Sequence, residues 1–157
     1  LQLSKGYSII SNGGYEITPT LLKKKKLQRK RILNENLSQK INPILRKIVS
    51  TKEGTAGFAN VKGYEIGGKT GTADQPSKGG YSKKKVNTFA SVFPTSDPKF
   101  VLAVMLDEPK ANREFVYHYR DDRYPYKGNW RNTAGWTTVW VTGQIMEKIG
   151  PILATKY

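Results

Sequence analysis

Apolar residues recur at helical spacing in three stretches of this chain and crowd into strand-like runs in others. Leu3, Tyr7 and Ile10 lie three or four positions apart. Asn12-Gly13-Gly14 comes next as a helix stop, so a helix over 1–11 is predicted. Leu37, Ile41, Ile44, Leu45, Ile48 and Val49 form a second stripe, with Asn36 placed to cap it. Pro43 falls inside that stripe and predicts either a kink or a second helix starting at Asn42. The third stripe is Trp136, Val139, Trp140, Gly143, Met146 and Ile149. It predicts a helix over about 134–149, ended by Pro151, with its tryptophan face on a hairpin. That hairpin joins strands at 88–93 and 100–106 through Thr95-Ser96-Asp97-Pro98, the second strand being apolar enough for burial on both faces. Residues 64–73 read as a further strand, weakened by glycines unless something packs closely on it, and 15–22, with Pro19, as an extended edge segment.

The polar stretches separate these elements. Residues 53–57 read as a flexible connection, 74–85 as a polar loop with Pro76, Gly79 and Gly80, and 109–131 as an irregular segment rich in Tyr, Arg and Asp. The order helix, helix, strand, strand, strand, helix predicts an α+β fold, an antiparallel sheet covered by helices. No internal repeat is visible.

Composition adds a charge argument. The 157 residues carry a net charge of +15, with 37% hydrophobic and 25% charged residues, and suffice for one domain with a modest core. Such a balance favours an anionic partner (nucleic acid, an acidic membrane surface or an anionic polymer) or reflects a generally lysine-rich composition. The run from Lys23 to Arg31 offers phosphates or anionic headgroups a basic strip, but no aromatic residue interleaves with it for base stacking; the plainer reading is a solvated loop. There is no cysteine, which excludes disulfides and thiolate metal sites. The chain starts at Leu1 and holds no signal peptide or membrane-length apolar run, which reads as a processed chain or a piece of a larger one.

The candidate chemistry lies at Gly67-Gly68-Lys69-Thr70-Gly71-Thr72-Ala73. Gly71 lets a ligand lie against the backbone, Lys69 offers a positive charge, and Thr70 and Thr72 offer hydroxyls on one side of a strand. This set suits an anionic, peptide-like ligand gripped along a strand edge. Other candidates are weaker. His118, the only histidine, reads as a loop packing or hydrogen-bonding residue, and Asp121-Asp122, between Arg120 and Arg123, as surface ion pairs rather than a metal or acid pair. The aromatic-basic stretch 113–130 reads as a cover over the sheet, or as a surface for glycan or a partner protein.

In its longer context, Gly63-Tyr64-Glu65-Ile66-Gly67-Gly68-Lys69-Thr70-Gly71-Thr72-Ala73 resembles the third active-site motif of the penicillin-binding proteins, class B transpeptidases in particular. The flanks fit as well: Ser11-Asn12-Gly13-Gly14-Tyr15, Thr18-Pro19-Thr20-Leu21-Leu22, and Val92-Phe93-Pro94 with Asp97-Pro98-Lys99-Phe100. Leu106-Asp107-Glu108-Pro109-Lys110, Thr133-Ala134-Gly135-Trp136 and Gly150-Pro151-Ile152-Leu153 are most similar to division-specific transpeptidases of alphaproteobacterial type. Trp140 departs from the small residues and proline usual near that helix start.

The resemblance implies that residues 1–157 are the C-terminal portion of a transpeptidase domain, incomplete, with the nucleophile in a missing N-terminal part. It implies a serine acyl-enzyme that cross-links peptidoglycan stem peptides during septal wall synthesis and is acylated by β-lactams. Lys69 and Thr72 are the implied catalytic residues; Lys69, Thr70, Gly71 and Thr72 the implied substrate contacts. The Thr72 N–H is one implied oxyanion donor. Stem peptides, β-lactams and membrane proteins of the division machinery are the implied partners, with no nucleic acid, cofactor or metal. The implied location is the periplasmic face of the inner membrane, anchored by a segment outside this chain.

One departure limits activity. The family nucleophile lies in Ser-x-x-Lys, completed by Ser-x-Asn; the latter is absent here. Ser-x-x-Lys occurs as Ser82-Lys83-Lys84-Lys85 and Ser96-Asp97-Pro98-Lys99, both after the Lys-Thr-Gly strand and in loop or turn sequence, and neither is expected to be a nucleophile. The chain alone is therefore expected to be inactive and marginally stable, with one sheet face partly uncovered. The alternative reading is a basic module for nucleic acid or an anionic membrane.

Overall fold

The computed structural model describes residues 1–22, 30–118, 126–129 and 131–156. Residues 23–29 of the basic run from Lys23 to Arg31 and the Asp121-Asp122 pair lie outside them.

Helix α1 spans Gln2–Ser11. It stops because Gly13 and Gly14 both take positive φ, +88° and +82°. A side chain at Gly14 would meet the Leu33 carbonyl oxygen at 2.2 Å. Asn12 closes the turn by accepting from the Tyr15 N–H at 2.8 Å and donating to the Tyr15 carbonyl at 3.0 Å. Residues 15–22, expected as an extended edge segment, make one strand-like pairing among the described residues, an isolated antiparallel bridge from Tyr15 to Arg31.

Helix α2 is one piece, Asn36–Ser50. Its first turn is capped by Asn34 rather than Asn36, since the Asn34 side-chain oxygen accepts the Asn36 N–H at 2.9 Å. Pro43 neither ends nor restarts it. Pro43 and Gln39, the residue whose carbonyl loses its helical partner, are both exposed, so water can serve that carbonyl. α1 docks on α2 through Ser38, which donates to the Ile10 carbonyl at 2.6 Å and accepts from the Gly13 N–H at 2.8 Å.

Strands β1 (Gly67–Ser77), β2 (Gly80–Phe93) and β3 (Phe100–Asp107) form an antiparallel sheet in that order. The α+β expectation holds, but the polar loop expected at 74–85 is instead the far end of a β1–β2 ribbon. Its strands stay paired from Gly67↔Val92 to Ser77↔Gly80 with one irregularity between Asp74 and Pro76. Over 74–85 the ribbon is mostly exposed, with no apolar alternation to betray it; a Lys85–Asp74 ion pair of 2.8 Å ties its strands together there. β3 is not buried on both faces: Phe100, Leu102, Val104 and Leu106 are half-buried, whereas Ala103 is exposed and Met105 68% exposed.

A second ribbon, β4 (Asn112–Tyr117) with β5 (Tyr126–Asn129), occupies the stretch expected to be irregular. The last helix, α3 (Thr138–Ala154), runs past Pro151, which is exposed like Glu147, whose carbonyl it frees. Trp136 belongs to a separate 3-10 turn, Ala134–Trp136. Trp140 packs on Phe115 of β4, ring centroids 5.0 Å apart, while the helix itself packs against β2 and β3 of the hairpin. The core is Val49, Ile66, Phe89, Phe93, Val139 and Met146 with Ala56 and Ala59. Gly143 brings α3 against the Phe58 carbonyl, which a side chain there would meet at 2.3 Å.

The β2–β3 turn is fastened to the segment before β1. Glu65 accepts from the Ser96 hydroxyl and, at 3.3 Å, from the Ser96 N–H, and the Glu65 carbonyl accepts from the Thr95 N–H at 3.0 Å. The Ser96 hydroxyl, then the Ser96 N–H, hold the Glu65 carboxyl below its ordinary pKa, with the charge of Arg46 adding to them. A depressed carboxylate pKa contributes stability above the unfolded-state value, and that contribution is lost as pH falls through the folded-state value. Glu65→Gln is therefore expected to melt below wild type at pH 7, the two curves converging below the ordinary glutamate range. A gap of the same size at pH 3 would contradict this.

Candidate active site

Arg46, projecting from α2, fixes where β1 begins. Its guanidinium donates to the Ile66 carbonyl and to the Asn60 side-chain oxygen, each at 2.8 Å, and Ile66 is fully buried. The strand thus starts at Gly67, three residues later than the sequence suggested, because Glu65 turns with φ +35°. From Gly67, side chains alternate: Gly67, Lys69 and Gly71 face one way, Gly68, Thr70 and Thr72 the other. The first two glycines are packing positions. A side chain at Gly67 would meet backbone atoms of Arg46 and Leu45 at 2.8 and 2.9 Å; one at Gly68 would meet the Ala90 carbonyl oxygen at 2.5 Å and the Phe89 ring at 2.7 Å. Something does pack closely on this strand, as its glycines require. Gly71 differs, with only Thr88 within reach of an added Cβ.

Thr70 and Thr72 enter a cleft of about 490 Å³, whose lining also includes Thr55, Phe58, Arg131 and Trp136. The Thr70 and Thr55 hydroxyls are 3.1 Å apart. Thr72 accepts the Ala134 N–H at 3.0 Å, which leaves its own O–H to donate. The cleft's far wall is anchored by Asn87, the register partner of Thr72, which is fully buried and donates to the Asn132 carbonyl at 2.6 Å and the Thr137 hydroxyl at 2.7 Å. Phe58 and Trp136 meet edge-on at 5.4 Å, and the Arg131 guanidinium lies 5.0 Å from the Trp136 ring centroid.

Lys69 does not line this cleft. It lies on the opposite face of β1, exposed, its ammonium donating to the Thr70 carbonyl at 2.7 Å. α2 backs the Gly67 end of that face; farther along, the register rows Lys69–Ala90–Ala103 and Gly71–Thr88–Met105 end in the exposed Ala103 and Met105. Among the described residues β1 is an edge strand. Neither Ser-x-x-Lys serine reaches the cleft: Ser82 lies on the β2 ribbon and Ser96 is held on Glu65. His118, exposed just after β4, does not line it either. Thr55, Phe58, Arg131, Thr133 and Trp136 were not legible as site residues. They come from segments 60 residues or more apart or from a stretch that reads as a linker, and no spacing rule joins them.

Residues 1–125 match the family model for the penicillin-binding protein transpeptidase domain. The chain belongs to that family. Among similar proteins is a probable peptidoglycan D,D-transpeptidase FtsI of Caulobacter vibrioides, 30% identical over 99% of this chain and 26% of the relative. Another is a probable peptidoglycan D,D-transpeptidase PenA of Neisseria flavescens, 33% identical over 71% of this chain and 28% of the relative. The chain thus spans about a quarter of the length of these relatives. Among solved structures, the TP domain of Burkholderia pseudomallei penicillin-binding protein 3 superposes with a TM-score of 0.75 at 26% identity, over 97% of this chain and 41% of that one. The transpeptidase-family fold here is a partial one: helices and antiparallel sheet around the Lys-Thr-Gly strand.

Proposed function

We propose that this chain is the Lys-Thr-Gly portion of a serine-type peptidoglycan D,D-transpeptidase of septal wall synthesis, also acylated by β-lactams. The observation that carries this reading is the edge strand β1, with Thr70 and Thr72 opening into one cleft and Lys69 standing on the uncovered face behind them. The donor stem peptide pairs with the outer edge of β1. A serine on a segment covering the Lys69 face attacks the penultimate D-alanine carbonyl, terminal D-alanine leaves, and an amine of a neighbouring stem peptide resolves the ester. Lys69 lowers the pKa of hydroxyls near it, takes part in the proton relay, and draws the donor carboxylate by its charge. The hydroxyls of Thr70 and Thr72 donate to that carboxylate, the Thr72 N–H supplies one oxyanion donor, and Gly71 keeps the strand clear.

The relatives' names support the peptidoglycan D,D-transpeptidase reading; the septal role, membrane proteins of the division machinery as partners and the periplasmic face of the inner membrane as location are part of the proposal. Among the described residues no helix is long and apolar enough to cross a membrane. Fluorescent penicillin tests the proposal: a protein joining this chain to its serine-bearing segment is expected to form a covalent adduct, and the 157 residues alone are not. Robust labelling of the isolated chain would overturn the placement of the nucleophile; no labelling of the joined protein would overturn the function.

A further inference from the structure

We infer that Thr55 is a positioning residue of this site: its hydroxyl donates to that of Thr70 and so turns the Thr70 O–H into the cleft, toward the ligand's carboxylate. The inference rests on the proposed peptide ligand and adds to it a residue outside the Lys-Thr-Gly motif.

The Thr55 and Thr70 hydroxyls, 3.1 Å apart, share one hydrogen between them. When the Thr70 O–H donates to an anion, that shared hydrogen must come from Thr55. Thr72 is served in the same way by another segment: it accepts the Ala134 N–H at 3.0 Å, and its own O–H is left to donate. Each motif hydroxyl thus receives one hydrogen from a neighbouring segment and keeps its own for the cleft. A hydroxyl that accepts a hydrogen bond is polarised to donate a stronger one.

The backbone around Thr55 is held in place for this task. A side chain at Gly54 would run into the Ile48 carbonyl, and the Ala56 N–H donates to that same carbonyl at 3.1 Å. Ala56 is fully buried in the core, and a side chain at Gly135 would meet the Thr55 carbonyl oxygen at 2.8 Å. The stretch that reads as a flexible connection is therefore clasped between the end of α2 and the Ala134–Trp136 turn. Thr55 itself is exposed and lines the cleft with Thr70 and Thr72, so the shared hydrogen bond lies where a ligand sets its direction.

Two substrates separate this role from a structural contact. The measurement is the second-order acylation rate of a protein joining this chain to its serine-bearing segment, with penicillin and with penicillin methyl ester, which lacks the carboxylate charge. Wild type is expected to prefer the acid. Thr55→Val keeps the side chain's shape and removes its hydroxyl. It is expected to slow the acid roughly fivefold, as for one neutral hydrogen bond, and to leave the ester within about twofold of wild type. Thr55→Ser is expected to restore the rate with the acid. In a Thr70→Val background, Thr55→Val is expected to change neither rate by more than about twofold, because the hydroxyl it acts through is gone. No loss with the acid, a loss equal for acid and ester, or a loss equal with and without the Thr70 hydroxyl overturns the assignment. Wild-type protein acylated by neither compound, or by both at one rate, overturns the parent reading of the cleft, and this assignment with it.

Discussion

Lys69→Ala, made in a protein that joins this chain to its serine-bearing segment, is expected to slow acylation by fluorescent penicillin by at least about a hundredfold. The magnitude derives from the two tasks the ammonium performs, lowering the pKa of neighbouring hydroxyls and drawing the acyl donor's carboxylate; one charge-assisted contact of about 3 kcal/mol already accounts for it. The loss is expected in the acylation rate constant. The fold should tolerate the change: Lys69 is exposed and, among the described residues, its ammonium donates to the adjacent residue's carbonyl. Thr70→Val, by contrast, removes a hydroxyl from the cleft wall and its contact with Thr55, and is expected to weaken binding by roughly tenfold, as for one lost hydrogen bond. Wild-type acylation by the Lys69→Ala protein, measured as a second-order rate constant, would sink the role proposed for this residue.

That split between two faces of one strand was half legible in the sequence. Period-two alternation puts Thr70 and Thr72 together from the letters alone, and the structure keeps them so. The same rule sets Lys69 on the other side, but nothing in the sequence says which face is open, because that depends on where α2 and the Ala134–Trp136 turn arrive. The three helices were legible because each buries a stripe. Their ends were less so: Pro43 and Pro151 carry a strong local signal for interruption, yet both lie on solvent-facing turns where a freed carbonyl costs little. The far end of the β1–β2 ribbon, over 74–85, and the β4–β5 ribbon were missed for a different reason. The first buries no apolar face, so its period never reaches the sequence. In the second, Phe115, Val116 and Tyr117 are three consecutive apolar residues with no period-two alternation, and the charged residues around them make a short strand look like a loop. Arg131 lay within that same stretch, and only the return of the chain past Asn87 brings it opposite β1.

Glycines tell packing from chemistry in the motif, and two alanine substitutions are expected to separate them. Gly67→Ala puts a methyl 2.8 Å from the Arg46 nitrogen and 2.9 Å from the Leu45 carbonyl carbon, both backbone atoms of α2, and 2.5 Å from the Thr95 methyl. Helix and strand must separate to admit it, so a loss of about 2 kcal/mol or more is expected, as for overpacking in a filled core. For a chain of this length that lowers the melting temperature by about 4–8 °C. Gly71→Ala, four residues along the same face, meets only the Thr88 side chain, whose hydroxyl can rotate away. Its stability is expected to stay within about 0.5 kcal/mol of wild type. Yet the new methyl stands beside Lys69 on the face assigned to the serine segment, so penicillin labelling of the joined protein should fall at least tenfold, by loss of close approach. Thermal melts and labelling rates of the two variants decide the matter together. A Gly71→Ala protein that melts normally and labels normally would mean that this face of β1 is not where acylation occurs, whatever the motif's spelling.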